Sequence, residues 1–186
     1  VFLQHTDTST GVVNDLRALA AVARESQPDA LVVLDSISGL GAEELEMDLW
    51  GLDVVITGSQ KGLMAPPGLA FAALSERAWR SVEAAKLPRF YFDWRAMRRS
   101  LPNKETPYTP AVTLVAAQAE ALRLIREEGI ENVWKRTAEL AAYTRSEVLK
   151  MGLTRFAKDP ADILTGVNLP PDVDGKKLIK DIRVNE

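Results

Sequence analysis

The sequence has no cysteine and only one histidine, His5, among its 186 residues. Without thiols, the chain can hold no disulfide, no zinc–thiolate site and no cysteine nucleophile. A single histidine forms no ligand cluster with the carboxylates farther along the chain, and we predict no metal site. The net charge of -3 argues against a nucleic-acid partner, because phosphate binding favours a basic surface. No apolar run reaches the roughly 18–20 residues of a membrane span, so we predict no membrane partner.

The first residues lack an initiator methionine and the basic segment and cleavage site of a signal peptide. Residues 1–4 already have the apolar character of a buried strand, and residues 181–186 stop directly after an amphipathic stretch. We therefore expect the chain to be an internal piece of a longer protein. Its location is expected to be cytoplasmic by default.

Three short apolar runs, residues 1–4, 30–34 and 53–57, each end in polar, small or glycine residues, as buried parallel strands do. Residues 14–26 between the first two runs have helical periodicity. This strand–helix–strand pattern predicts a parallel sheet, because such crossovers are right-handed. Residues 69–74 are a fourth candidate strand. The pattern places Leu16, Leu19, Ala20, Val22 and Ala23 on one helix face, with Thr8, Ser9, Thr10 and Asn14 as candidate caps.

The second half of the chain differs from the first in composition and periodicity. Four prolines and an aromatic cluster in residues 88–110 predict a long loop. Helices are predicted over 111–128 and 130–151, each ended by a glycine. A strand near 166–169 and a helix near 175–181 indicate the beginning of a smaller α/β domain. We therefore divide the chain into a large domain, residues 1–128, and the start of a small domain, residues 129–186.

The ends of the first three strands carry the most polar and glycine-rich segments of the first half. In open parallel sheets, ligands bind outside the carboxyl ends of the strands. The pattern therefore places Thr8, Asp35, Gln60 and Lys61 around one crevice.

Asp35 and Lys61 each have two interpretations. Asp35 follows a buried strand, where little solvent would reach it, and a carboxylate there needs a cationic partner. It could cap a helix, form a structural ion pair or face a protonated ring nitrogen. Lys61 could simply extend to solvent, or desolvation could lower its pKa and make it nucleophilic towards a carbonyl. Taken together, a carboxylate and a lysine at neighbouring strand ends are what pyridoxal 5'-phosphate needs for its pyridinium nitrogen and its aldehyde.

Three segments carry a family resemblance: His5-Thr6-Asp7-Thr8-Ser9-Thr10-Gly11, Leu34-Asp35-Ser36-Ile37-Ser38-Gly39-Leu40-Gly41 and, most specifically, Gly58-Ser59-Gln60-Lys61-Gly62-Leu63-Met64-Ala65-Pro66-Pro67-Gly68. They resemble the class V aminotransferases, and most of all the alanine–glyoxylate and serine–pyruvate branch. The likeness continues through Thr106-Pro107-Tyr108-Thr109-Pro110 and covers nearly all of the chain.

The resemblance implies a fold-type I α/β architecture: a large domain with a mostly parallel sheet flanked by helices, a smaller α/β C-terminal domain, and a homodimer with shared active sites. It implies a pyridoxal-phosphate-dependent transaminase that moves an amino group between alanine or serine and glyoxylate or pyruvate. The resemblance implies that Lys61 forms the Schiff base and that Asp35 contacts the pyridine nitrogen. It implies a phosphate or ring contact at Gln60, a hydroxyl near the ring oxygen at Thr8 and a contact with the ring face at Ile37. It also implies that Thr106 and Thr109 contact the phosphate bound in the other subunit. The family often has Tyr at the place of Thr106.

The resemblance also implies parts that these residues do not supply. The phosphate-binding loop, the aromatic that stacks on the cofactor and the arginine that binds the substrate carboxylate fall outside residues 1–186. We therefore expect the isolated segment to be inactive and to bind the cofactor poorly. The open alternatives are another fold-type I enzyme (a cysteine desulfurase, or an aspartate or aminoethylphosphonate aminotransferase) and a non-catalytic α/β domain in which Lys61 pairs with Asp35.

A second cluster, Phe90-Tyr91-Phe92-Asp93-Trp94 with Arg98 and Arg99, has two interpretations. Aromatic and basic residues together can stack on nucleic-acid bases, but packing near a dimer interface is favoured because the chain is acidic overall. His5 is interpreted as a packed residue at a strand end.

Overall fold

The secondary structure alternates strands and helices through the first half and is largely helical in the second. The computed structural model describes residues 1–184. Its strands are β1 (Phe2–Gln4), β2 (Thr6–Asp7), β3 (Val12–Val13), β4 (Val33–Asp35), β5 (Val54–Gly58), β6 (Ala70–Leu74), β7 (Thr154–Arg155) and β8 (Val167–Asn168). Its helices are α1 (Leu16–Ser26), α2 (Glu76–Ala84), α3 (Trp94–Ser100), α4 (Val112–Glu128), α5 (Ile130–Lys150) and α6 (Gly175–Val184), with a 3-10 turn at Leu101–Asn103.

Four strands form one sheet in the order β1-β4-β5-β6. The pairs β1–β4 and β4–β5 are parallel, as predicted, and β6 joins β5 in antiparallel orientation. Gln4 pairs with Asp35, and Asp35 pairs with Ile56. The three parallel strands therefore end side by side, and the loops that follow them leave from one edge.

Helix α1 packs against this sheet. Asp15 caps it by accepting a 3.0 Å hydrogen bond from the Ala18 N–H. The predicted caps, Thr8, Ser9, Thr10 and Asn14, are wrong because the chain first forms the β2–β3 hairpin and enters the helix one residue later.

The buried face of α1 consists of Leu16, Ala20 and Ala23, at the i, i+4 and i+7 spacing of one helical stripe. Leu19 is 41% exposed and Val22 is 59% exposed, so the predicted face was too wide. The stripe packs on Leu34 and Val55 from neighbouring strands, together with Val32 and Leu52. Full burial of one such side chain stabilises the fold by about 1.5–3 kcal/mol.

An ion pair stabilises the opposite end of the strands, where β5 begins. The carboxylate of Asp53, just before β5, accepts hydrogen bonds from Arg24, from the Val32 N–H at 2.8 Å and from the Ser75 hydroxyl at 2.9 Å. Burial alone would raise the pKa of Asp53, but these donors outweigh it and lower the pKa. The pair ties α1 and the start of α2 to the same strand.

The segment from 88 to 110 is not one continuous loop. Asp93 accepts a hydrogen bond from the Arg95 N–H at 3.0 Å and begins α3. Helix α2 was also not predicted, although Ser75 caps it by accepting from the Ala78 N–H at 3.1 Å. Both helices are short, and local caps rather than long apolar periodicity define them.

The long helices α4 and α5 meet at Gly129, which has a φ of +86°. Leu63, Ile125 and Val133 form a second small core, which joins the loop after β5 to both helices. A separate two-stranded sheet, β7–β8, follows α5. The second half of the chain is thus anchored beside the segment that carries Lys61.

Two negative findings apply to residues 1–184. No helix there is long and apolar enough to cross a bilayer. No group of three or more His, Cys, Asp or Glu side chains is arranged to hold a metal ion.

Candidate active site

The candidate site lies at the carboxyl ends of the parallel strands. Asp35 is the last residue of β4, and Lys61 lies in the turn that follows β5. Thr8 lies in the turn between β2 and β3, the hairpin that follows β1. The register of the sheet therefore brings three loops to one edge.

Two glycines fasten the loop after Asp35 to the loop of Lys61. Gly41 has a φ of +90°, and a Cβ there would lie 2.8 Å from the carbonyl oxygen of Gly62. A Cβ on Gly62 would collide with the carbonyl oxygen of Leu40. The two backbones approach this closely only because neither glycine has a side chain.

Ser59 closes the loop that carries Lys61. Its buried hydroxyl donates to the carbonyl of Pro66 at 2.6 Å and accepts from the Leu69 N–H at 3.3 Å. Its N–H donates to the Leu69 carbonyl at 3.0 Å. The loop from 59 to 69 is thus fixed at its base, and Lys61 extends from a defined backbone.

Side-chain hydrogen bonds shape the turn that carries Thr8. The carboxylate of Asp7 accepts from the N–H of Ser9 at 2.8 Å and from its hydroxyl at 2.6 Å, and these bonds lower the pKa of Asp7. The hydroxyls of Thr8 and Ser38 lie 2.8 Å apart and form a hydrogen bond. Thr8 is therefore linked to the loop after Asp35.

The Asp35 carboxylate is exposed and accepts one hydrogen bond, from the Ile37 N–H at 2.9 Å. The expectation that little solvent reaches it is wrong, because Asp35 occupies the open end of β4 while Leu34 beside it points into the core. Ile37 is also 37% exposed. Both side chains can therefore be reached by a ligand above the strand ends.

Lys61 is exposed and lines a cleft of about 550 Å³. Gly41, Ala42, Gly62 and Met64 line the same cleft, together with residues of α5 and the segment from 162 to 165. Gln60 is exposed as well, and its side-chain oxygen folds back over Gly58. In residues 1–184, neither Lys61 nor Asp35 takes part in an ion pair within 4.0 Å, so each remains available to a ligand.

Thr106 and Thr109 lie elsewhere. Thr106 lines a separate cleft of about 510 Å³ with Tyr108 and Pro110, and its hydroxyl donates to the Tyr108 carbonyl at 2.5 Å. Thr109 is exposed. Neither threonine lines the cleft of Lys61 within this chain.

His5 lies behind the site rather than in it. It is 2% exposed, and its Nδ1 lies 2.8 Å from the Ser36 hydroxyl. Its backbone N–H donates to the Asp35 carbonyl at 2.8 Å. Burial lowers the pKa of His5 from 6.5 to about 4, so the imidazole is neutral at pH 7.

The sequence alone did not identify the supporting residues as functional candidates; they are Ser36, Gly41, Glu43, Ser59 and Gly62. Ser59, Gly41 and Gly62 lie inside the segments already identified, and small residues beside Lys61 and Asp35 were the available signal. Glu43 left no such signal, because its hydrogen-bond partners are 119 and 120 positions away in the sequence.

Known proteins share this arrangement. The family model of class V aminotransferases matches residues 1–169. The chain therefore belongs to the class V aminotransferase family, whose members use pyridoxal 5'-phosphate.

The individual relatives have different names. A protein of Synechococcus named as the small subunit of a soluble hydrogenase is 41% identical over 86% of this chain and 41% of its own length. A serine–glyoxylate aminotransferase of Methylorubrum extorquens is 37% identical over 97% of this chain and 47% of its own length. The crystal structure of an alanine–glyoxylate aminotransferase from Nostoc superposes with a TM-score of 0.90 at 30% identity, covering 97% of this chain and 49% of that one.

The chain thus spans somewhat less than half the length of the curated relatives that it matches. The structural match confirms the predicted fold class, the α/β architecture of the fold-type I aminotransferases with a mostly parallel sheet flanked by helices.

Proposed function

We propose that the whole protein containing this chain is a pyridoxal-phosphate-dependent aminotransferase. It would move an amino group between a small amino acid, alanine or serine, and a 2-oxo acid, glyoxylate or pyruvate. The observation that carries the proposal is the pair Asp35 and Lys61. Both are exposed, they lie at the carboxyl ends of adjacent parallel strands, and neither forms an ion pair with another residue of 1–184. The names of the serine–glyoxylate and alanine–glyoxylate relatives support the substrate class.

The residues present fit the cofactor. Lys61 lies on the wall of an open cleft, where its amine can form a Schiff base with an aldehyde. Asp35 keeps one carboxylate oxygen without a hydrogen-bond partner among residues 1–184, and this oxygen can accept from a protonated ring nitrogen. When bound, the cofactor supplies an electron-withdrawing ring that spreads the charge of a substrate carbanion.

The chain's own residues then have distinct tasks. Lys61 Nζ, once released by the incoming amine, would take the proton from the substrate Cα. Asp35 would hold the proton on the ring nitrogen, which stabilises developing negative charge by fixed electrostatics. Thr8 would donate to the ring oxygen, Gln60 would contact the ring or phosphate, and Ile37 would pack on a ring face.

Thr106 and Thr109 support a homodimer with shared sites. Because they lie apart from the cleft of Lys61 in this chain, they would bind the phosphate of the cofactor in the partner subunit. The nearby surface is apolar: Leu87 is 81% exposed, Phe90 78% and Phe92 81%. Apolar and aromatic surface of this kind is typical of the core of a protein–protein interface.

Outside the enzymes, the alternative is a non-catalytic α/β domain. In that case Lys61 and Asp35 would form an ion pair with each other. Neither residue belongs to an ion pair within residues 1–184, which argues against this alternative. Another fold-type I enzyme on the same scaffold is the second alternative, and the substrate screen below would identify it. The domain boundary at residue 128 and a cytoplasmic location also remain proposals.

The test uses the whole protein with pyridoxal phosphate. The wild type should show an absorbance band between about 400 and 430 nm and transfer amino groups from alanine, serine or aspartate to glyoxylate or pyruvate. Lys61→Ala should lose both the band and the turnover, whereas Lys86→Ala, which changes an exposed lysine outside the cleft, should keep both. Covalent cofactor in Lys61→Ala would overturn the assignment, and so would the absence of any transfer by the wild type.

A further inference from the structure

Glu43 is a buried carboxylate in the turn that follows the Asp35 loop, and only 8% of the residue is exposed. Its Oε1 accepts hydrogen bonds from the backbone N–H of Asp162 at 2.5 Å and of Ile163 at 3.1 Å. No Lys or Arg nitrogen among residues 1–184 lies within 4.0 Å of its carboxylate oxygens. The charge of Arg145 acts on it from farther away and has the smallest of the effects on its pKa. A carboxylate buried in this way is unfavourable unless its hydrogen bonds compensate, so the two N–H donors are its structural partners.

The segment that Glu43 holds is clamped on two further sides. Ala161 donates from its N–H to the carbonyl of Gly11 at 2.8 Å, beside the turn that carries Thr8. Arg145 on α5 donates to the carboxylate of Asp162 at 2.9 Å and to the Ala161 carbonyl. Leu164 packs against Gly11 so closely that a Cβ on that glycine would lie 2.9 Å from it.

This clamped segment forms part of the cleft of Lys61. Asp162, Ile163, Leu164 and Thr165 all line it. Glu43 follows Gly41 by two residues, and Gly41 is in backbone contact with Gly62, next to Lys61. A change in the reach of Glu43 would therefore move the segment relative to Lys61.

We propose that Glu43 is a positioning residue, which fixes residues 162–165 as a wall of the Lys61 cleft and thereby sets the affinity for the amino-acid substrate. The inference rests on the proposed aminotransferase function. The wall acts on substrate binding rather than on proton transfer, because Glu43 has no contact with the lysine itself. Its effect should therefore appear in KM more than in kcat.

Three variants of the whole protein distinguish three properties of the Glu43 side chain: its hydrogen-bond acceptor, its charge and its length. Glu43→Gln keeps an oxygen that can accept both N–H groups, Glu43→Asp withdraws the acceptor by one methylene, and Glu43→Ala removes it. Glu44→Ala, a change at the exposed neighbour, is the matched control. Each is assayed for kcat, for the KM of the amino donor and for the absorbance of the bound cofactor.

Glu43→Ala should raise KM about tenfold, because the N–H groups of Asp162 and Ile163 lose their acceptor and the wall relaxes. Glu43→Asp should raise KM by roughly threefold or more for the same reason. Glu43→Gln and Glu44→Ala should stay near wild type. In every variant kcat should change less than about twofold, and the cofactor band should persist.

Hydrogen exchange of the cofactor-free protein gives a readout that does not depend on activity. The amides of Asp162 and Ile163 should exchange faster in Glu43→Ala and Glu43→Asp, and at the wild-type rate in Glu43→Gln. If Glu43→Ala does not fold, the comparison of Glu43→Asp with Glu43→Gln in the same measurements tests the positioning role.

The possible failures are distinct. If Lys61→Ala abolishes amino transfer but KM is unchanged in Glu43→Ala and Glu43→Asp, the positioning role alone is overturned. A Gln variant as impaired as the Ala variant overturns it too, because acceptor geometry would then be irrelevant. A wild type without any amino transfer overturns the proposed function and this inference together.

Discussion

The buried imidazole of His5 should make the stability of the protein depend on pH between about 6.5 and 4. Its pKa is about 4 in the folded protein and 6.5 when solvated, and burial is the cause. The unfolded chain therefore binds a proton more tightly than the folded one, and stability falls as pH drops from 6.5 towards 4. The full difference corresponds to about 3 kcal/mol, of which about 2 kcal/mol is already lost at pH 5.

The assay is urea unfolding of the cofactor-free whole protein at several pH values between 5 and 8, because cofactor binding would add its own pH dependence. The quantity of interest is the difference in unfolding free energy between wild type and His5→Gln. Gln cannot ionise at these pH values, so the advantage of wild type over the variant should shrink by about 2 kcal/mol between pH 8 and pH 5. Taking the difference cancels the other titrating groups, including Glu43, whose pKa burial raises and whose contribution has the opposite sign.

Ser36→Ala is the matched control. It removes the hydroxyl that hydrogen-bonds Nδ1 but leaves the imidazole buried. This variant should cost about 1 kcal/mol at every pH and keep the wild-type slope. If the advantage of wild type over His5→Gln stays constant from pH 8 to pH 5, the imidazole has the same pKa in the folded and unfolded states, and the reasoning from burial is refuted.

Two further predictions concern the site. Asp35→Asn should leave the cofactor bound but lower kcat by roughly 10²-fold, because the amide cannot hold a proton on the ring nitrogen; near-normal turnover would show that the ring needs no carboxylate. Gly62→Ala should also reduce kcat/KM by roughly 10²-fold, because the new Cβ meets the Leu40 carbonyl and displaces the Lys61 loop. Gly152→Ala is its control: that glycine has a φ of +78° with nothing within 4 Å of a Cβ, so the substitution should cost stability and leave kcat/KM unchanged.

Sequence periodicity was sufficient to predict the parallel strands and the common edge at which Asp35 and Lys61 lie. Both features depend on local patterns: apolar runs of four or five residues, each followed by small and polar residues. The helices α4 and α5 were predicted to within one residue at each end for the same reason, since terminal glycines stop them.

Burial could not be predicted from the same patterns. Asp35 was expected to be shielded because the residues before it are apolar, yet shielding depends on which atoms lie above the strand end. Leu19 and Val22 were assigned to the core side of α1, although the sheet covers only the narrow stripe of Leu16, Ala20 and Ala23. The exposure of a side chain depends on its neighbours in space, and the pattern of one strand or helix contains no information about them.

Glu43 shows where local patterns stop being informative about function. Nothing in its immediate sequence distinguishes it from the exposed Glu44, and the sheet alone does not require it to be buried. Its burial follows from two backbone N–H groups in a segment 119 and 120 positions away, which the turn at Gly11 and the guanidinium of Arg145 also hold. A residue of this kind can shape a binding cleft without touching the ligand. The motifs pointed to Lys61 and Asp35 because, in the proposed function, both would contact the cofactor directly. Their supporting wall is constrained only by the folded chain.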